Sequence, residues 1–149
     1  MVDYFEDIEV GETRTFGEYT LSKEEIIEFA EQYDPQPFHT DEAAAKESKF
    51  DGLAASGWHT AAACMRLLAD NIGDRAMAGA RGVDELRWIK PARPGTTLTV
   101  ELEVVDKYPA DDPEIGNVDN RMTAYDQDGE AVITWVGLAM VERREPLED

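Results

Sequence analysis

The sequence predicts an α+β domain in which an antiparallel sheet wraps one long helix. Three observations carry this prediction. An early threonine- and aromatic-rich stretch, residues 13–21, reads as a strand. The apolar spacing of residues 22–71 then follows the helical period of about 3.6. From residue 82 onward the period changes to 2, the mark of strands with one wet face. An early strand, a long helical section and about four further strands make a layered α+β arrangement. A chain of 149 residues, 42% of them hydrophobic, is enough for one core, so a single domain over 1–149 is expected.

The elements follow in order. After the strand at 13–21, Ser22 and Glu25 form an S-x-x-E capping box that opens a helix. Ile26, Ile27, Ala30 and Tyr33 share one face of that helix, which ends by Asp34 because a residue before proline is pushed out of the α region. Pro35 and Pro37 make "PQPF" read as a stiff, extended connection. A short helix is expected over 41–47. The long helix is expected from Ser56 to Asn71, with a serine cap, an alanine-rich body, and apolar positions at Trp58, Ala61, Ala62, Met65, Leu68 and Ile72. "GVDELRWI" and "TLTVELEVV" read as strands, the second alternating Leu98, Val100, Leu102 and Val104 with polar residues. "NVDNRMTAY" joins "EAVITWVGLAMVE" through Asp128-Gly129, a hairpin signal, and the last strand is apolar on both faces, as an interior strand is.

Charge excludes several function classes. With 33 Asp and Glu against 14 Lys and Arg the formal net charge is −19, spread along the whole chain, so nucleic acid is not an expected partner. So uniform an excess of acid, with lysine scarce, suggests a protein suited to a halophile's cytosol. No apolar run reaches the roughly 18 residues that cross a bilayer, and the acidic start "MVDYFEDIEVGE" is unlike a secretory signal, so a cytoplasmic protein with no membrane partner is expected. The one cysteine, Cys64, sits among small apolar residues and reads as a buried hydrophobe; disulfides and a cysteine-based metal site are excluded.

Two histidines, His39 and His59, offer little for a metal, and no metal is expected. Neither a phosphate-cradling glycine loop nor a G-x-S-x-G elbow is present. What remains is Asp34 and His39, an acid and a base flanking the proline-rich break, as a water held between them would require. Read as isolated residues, Asp34 ends one helix and His39 caps the next.

The surrounding text, "FAEQYDPQPFHTDEAAAKESKFDGLAASGWHT", resembles the hydratase motif of the MaoC-like dehydratases and R-specific enoyl-CoA hydratases. Asp34, Pro37, His39 and Asp41 match that motif, and Phe50, Ala55 and Gly57 fall at its spacing. Gln36 stands where asparagine is usual, Phe38 where isoleucine is usual, and Ser56 replaces a histidine. "RWIKPARPGTTLTVELEV" resembles the strand and turn that follow in this family, so the similarity spans most of the chain.

The resemblance implies a hot-dog fold, with a curved antiparallel sheet around the long helix and two subunits joined into a homodimer or a higher assembly. It implies that Asp34 and His39 activate a water that adds to C3 of a trans-2-enoyl thioester, giving an (R)-3-hydroxyacyl thioester. The N–H of Gly57, at a helix N-terminus, is the expected donor to the thioester oxygen as charge develops there. Gln36, Phe50, Ser56 and Trp58 are then substrate-contacting candidates, and Met65 a further tunnel candidate. No resident cofactor is implied; coenzyme A, or an acyl-carrier pantetheine, enters with the substrate. Its phosphates are anionic, and "RGVDELRWIKPAR" supplies Arg81, Arg87, Lys90 and Arg93 within 13 residues, from which Arg87, Lys90 and Arg93 are the binding candidates. Two other classes stay open. A hot-dog thioesterase would use an acid on the central helix, and residues 56–69 contain none; a noncatalytic acyl-CoA binding module would have no use for Asp34 beside His39.

Stability is expected to rise with salt well past the point where an ordinary acidic protein levels off, because only molar salt shortens the Debye length to about 3 Å. Thermal melts and sizing at about 0.1, 1 and 3 M KCl check this. A flat melting temperature and an unchanged oligomer would contradict the halophilic reading.

Overall fold

The computed structural model describes residues 2–148. It contains strand β1 (Thr13–Thr20), helices α1 (Lys23–Tyr33), α2 (Pro37–Thr40), α3 (Glu42–Lys46) and α4 (Gly57–Asn71), and strands β2 (Met77–Trp88), β3 (Thr97–Pro109), β4 (Ile115–Tyr125) and β5 (Ala131–Glu142). All strands join one antiparallel sheet in the order β1-β3-β4-β5-β2. The chain therefore crosses from one edge to the other between β1 and β2, and α1 to α4 fill that crossing. α4 lies against the concave side of the sheet in the hot-dog arrangement, with Ala63, Cys64, Leu67 and Leu68 buried among Leu98, Val100, Leu102, Met122, Ile133 and Trp135. Burial of that apolar surface is the main driving term, at about 25 cal/mol per Å². Burial also pushes the Cys64 thiol up to about 12, so at neutral pH it is a small hydrophobe.

Local signals decide the boundaries. The Ser22 hydroxyl accepts the Glu25 N–H at 3.2 Å to open α1, and α1 closes as the Asp34 N–H donates to the Ala30 carbonyl at 2.8 Å. β5 is interior, flanked by β4 and β2, as its apolar faces require. The connection between β4 and β5 is a loop over 126–130, closed by the Asp126 N–H on the Glu130 carbonyl, with Gly129 at φ +80°. Among the described residues no helix is long and apolar enough to cross a membrane.

Three expectations are corrected. Pro37 does not stay in an extended connection but occupies the first position of the one-turn helix α2, where its missing N–H has no intrahelical partner to lose. Tyr33 is exposed, because the core face of α1 is Ile26 and Ala30. The buried residues of α4 are His59, Thr60, Ala63, Cys64, Leu67 and Leu68, whereas Trp58, Ala62 and Met65 are exposed. Three consecutive alanines, Ala61 to Ala63, leave that helix with no strong face preference of its own, and adjacent Leu67 and Leu68 settle its rotation.

Candidate active site

Asp34 and His39 are delivered by separate short elements. The first closes α1; the second is the third residue of α2, which Gln36 precedes in an extended conformation. Asp41 then caps α3, its carboxylate accepting the Ala43 and Ala44 N–H groups at 2.8 and 3.3 Å, so α2 and α3 are pinned back to back. The loop that follows is stitched to both sides. The Ala54 N–H donates to the Phe38 carbonyl at 3.3 Å and the Ala55 N–H to the Ala92 carbonyl at 2.8 Å. This brings Ser56, the cap of α4, beside Asp34.

The Asp34 carboxylate is held from two directions. Gln36 Nε2 donates to Oδ1 at 2.6 Å, and the Ser56 hydroxyl donates to Oδ2 at 2.7 Å. Burial pushes the Asp34 pKa up, but the hydrogen bonds from Ser56 and Gln36 and the charge of His39 outweigh it, so the group lies below the ordinary carboxylate value. Asp34 is ionised at neutral pH. His39 Nε2 lies 3.5 Å from Asp34 Oδ2, and its Nδ1 lies 2.6 Å from the Ala54 carbonyl oxygen. A carbonyl oxygen only accepts, so Nδ1 carries the proton and donates. In the neutral ring Nε2 then presents a lone pair toward the space it shares with the carboxylate. Phe38 meets the imidazole edge-on at 4.6 Å and packs at a tilt against Phe50, 5.1 Å away, which limits the ring's movement.

Asp34, His39, Phe50, Gly57 and Trp58 line one cavity of about 350 Å³ with Trp88. Its remaining wall comes from Ala55, Thr60 and the turn after β2, with Ile89, Lys90, Pro91 and Ala92. Gly57 is the first residue of α4, so its N–H has no intrahelical acceptor. The Ser56 hydroxyl also accepts the Trp58 N–H at 3.3 Å, so one side chain caps α4 and holds Asp34.

Other candidates are placed differently. Gln36 and Ser56 bond Asp34 itself, which makes them positioning groups for the carboxylate. Arg93 donates to the backbone carbonyls of Phe50, Gly52 and Leu53, tying down the loop before α4. Lys90 borders the cavity, but its ammonium is 2.7 Å from Asp126 and 2.6 Å from Glu130, which raise its pKa. Arg87 is exposed and bonds the Leu86 carbonyl, and Arg81 bonds the Tyr108 hydroxyl. The basic cluster of the sequence is therefore not gathered at the cavity. Met65 lines a separate apolar groove with Leu68, Ile72 and Leu138. His59 is buried, stacks on Phe29 at 4.7 Å and faces Glu25 in a different cavity. Trp88, with Thr60, Ile89, Pro91 and Ala92, is a cavity residue that sequence spacing missed: it stands beside Arg87, inside the cluster read for charge alone.

Replacing Ser56 separates its two roles. Ser56→Ala is expected to raise the Asp34 pKa and to cost about 1 kcal/mol as the cap is lost, whereas Ser56→Gly raises the pKa with only a few tenths lost. Because the folded pKa is depressed, Asp34 contributes stability that is present above the unfolded value near about 3.9 and is lost as pH falls through the folded value. Both variants should therefore lose part of that contribution. Carboxyl-carbon NMR of Asp34 reads the shift, and an unmoved titration would refute the Ser56 bond.

Comparison with known proteins places the chain in a family. Residues 7–125 match the family model described as a MaoC like domain. A MaoC-like dehydratase from Rhodospirillum rubrum superposes with a TM-score of 0.88 at 41% identity, over 95% of this chain and 98% of that one. An (R)-hydratase from A. caviae involved in PHA biosynthesis superposes at 0.69 with 25% identity, over 91% and 97% of the two chains. The uncharacterized protein YdeM of Bacillus subtilis is 32% identical over 124 residues, 82% of this chain and 86% of that protein. With Asp34, His39, Phe50 and Gly57 of the motif around one cavity and the family model matched over residues 7–125 of the chain, the chain belongs to the MaoC-like dehydratase family.

Proposed function

We propose that the protein hydrates trans-2-enoyl thioesters to (R)-3-hydroxyacyl thioesters, and dehydrates them in reverse, with coenzyme A as the expected carrier. The observation that carries this is the facing of Asp34 Oδ2 and His39 Nε2, 3.5 Å apart, in one cavity with the Gly57 N–H. Two acceptors facing a shared space call for a donor between them, and water supplies two O–H groups. Asp34 accepts one and fixes the water; His39 Nε2 accepts the other and acts as the base.

As the water oxygen bonds to C3, its proton passes to Nε2 and the C2=C3 electron pair moves toward the carbonyl. Negative charge gathers on the thioester oxygen, where the N–H at the start of α4 stabilises it. The imidazolium then returns the proton to C2. One water has added across the double bond, and His39 and Asp34 regain their starting states. The depressed pKa of Asp34 suits a fixed acceptor, leaving His39 as the group that carries the proton.

A thioesterase reading lacks its acid: the only carboxylate on α4 is Asp70, in its last turn, paired with Arg66 at 2.9 Å. A second copy is proposed to add at β2, which is a sheet edge with Met77, Val83 and Trp88 exposed.

Loss of the enoyl absorbance of crotonyl-CoA tests the reaction. Asp34→Asn and His39→Ala are each expected to lower turnover about 10² to 10⁴-fold while the fold remains intact. Hydration at the parent rate by either variant would overturn the assignment.

A further inference from the structure

Gly57 has no room for a side chain, and the cause is Trp88. A Cβ at position 57 would lie 2.4 Å from Trp88 Nε1, 2.4 Å from Cε2 and 2.9 Å from Cδ1. All three atoms belong to the pyrrole ring of the indole, so its N–H edge is laid against the first residue of α4. An indole N–H is a donor with no acceptor capacity. Trp88 is 45% exposed, and the hydrogen bonds that organise the cavity leave its N–H unused.

The ring is held in place from several sides. Trp88 ends β2 in register with Ile133, and the next residue donates its N–H to the Val132 carbonyl at 2.8 Å. Trp58 packs against it edge to face, with centroids 5.1 Å apart and planes at 85°. The cations of the same segment are engaged elsewhere: Lys90 by Asp126 and Glu130, Arg93 by loop carbonyls. Gly57 and Trp88, which both line the cavity at the start of α4, carry neutral N–H groups.

We propose that the Trp88 indole N–H is the second donor, beside the Gly57 N–H, to the thioester oxygen. This rests on the hydratase reading above and adds to it a catalytic residue from β2. Two neutral donors fixed before the substrate arrives stabilise the developing oxyanion without reorganising. Gly57 is then glycine because the indole must lie on it; Gly57→Ala would keep the backbone N–H yet push the second donor away.

Trp88→Phe is the direct test, since it keeps an aromatic wall at a half-exposed position and removes only the donor. With crotonyl-CoA, kcat is expected to fall about 10²-fold with KM little changed. A kcat within about twofold of the parent, or a loss confined to KM, would overturn the proposal and leave Trp88 as a wall. A second measurement is independent of turnover and of that variant's activity. In ¹⁵N-labelled parent protein the Trp88 indole signal, identified by its absence in Trp88→Phe, should shift downfield on adding butyryl-CoA, a saturated thioester that cannot be hydrated. If butyryl-CoA binds and that signal does not move, the donor role is refuted. A parent protein that binds the thioester and shifts the indole but leaves crotonyl-CoA unreacted would sink the hydratase reading while retaining the contact.

Discussion

Two hydrogen bonds and one close approach order the site: the Ala54 carbonyl accepts from His39 Nδ1, His39 Nε2 faces Asp34 Oδ2, and Asp34 accepts from Ser56 at the start of α4. They join the turn of α2, the end of α1 and the cap of α4, three elements that share no regular secondary structure. Without the Ala54 carbonyl the nearby Asp34 carboxylate would draw the ring proton to Nε2 instead. Without Ser56 and Gln36 a partly buried carboxylate would drift toward its neutral form, since burial alone pushes its pKa up. Base and acceptor are thus defined by the groups behind them. The prolines contribute by starting α2 where they do.

The N-terminus of α4 is where stability and chemistry meet. Ser56, fully buried, satisfies the Trp58 N–H and the Asp34 carboxylate with one hydroxyl. Gly57 leaves an N–H free, and Trp88 from the far edge of the sheet fills the space its missing side chain leaves. Charge plays a smaller part near the reacting groups than the composition suggests. Arg93 is a clamp on backbone carbonyls and Lys90 sits between two carboxylates, so cations of the neighbouring segment hold the scaffold together.

Much of this was legible in the sequence, and the part that was not has a common cause. Capping residues and two-residue alternation act locally, so the limits of α1 and α4 and the alternating face of β3 could be read from neighbours in the chain, whereas the joint role of Asp34 and His39 came from the family resemblance. The rotation of α4 could not, because consecutive alanines carry almost no directional preference and Leu67 and Leu68 decide it only once a sheet is present. The roles of Arg93, Lys90 and Trp88 depend on partners about 30 to 45 positions away: Phe50 and Gly52, Asp126 and Glu130, and Gly57. A cluster of positive charge was visible; which carbonyls and carboxylates would claim it was not. Gly57 was expected as a backbone donor; that an indole would lie against it could not be read from its neighbours in the chain.

The central claim is that His39 is held as the Nδ1-protonated tautomer with a free Nε2 facing the Asp34 carboxylate. Nitrogen-15 NMR of the histidine rings at neutral pH, with His39 assigned by comparison with His39→Ala, measures it most directly. The account predicts a protonated Nδ1 and an unprotonated Nε2. A ring carrying its single proton on Nε2 would contradict it, because the atom assigned to take a proton from water would already hold one.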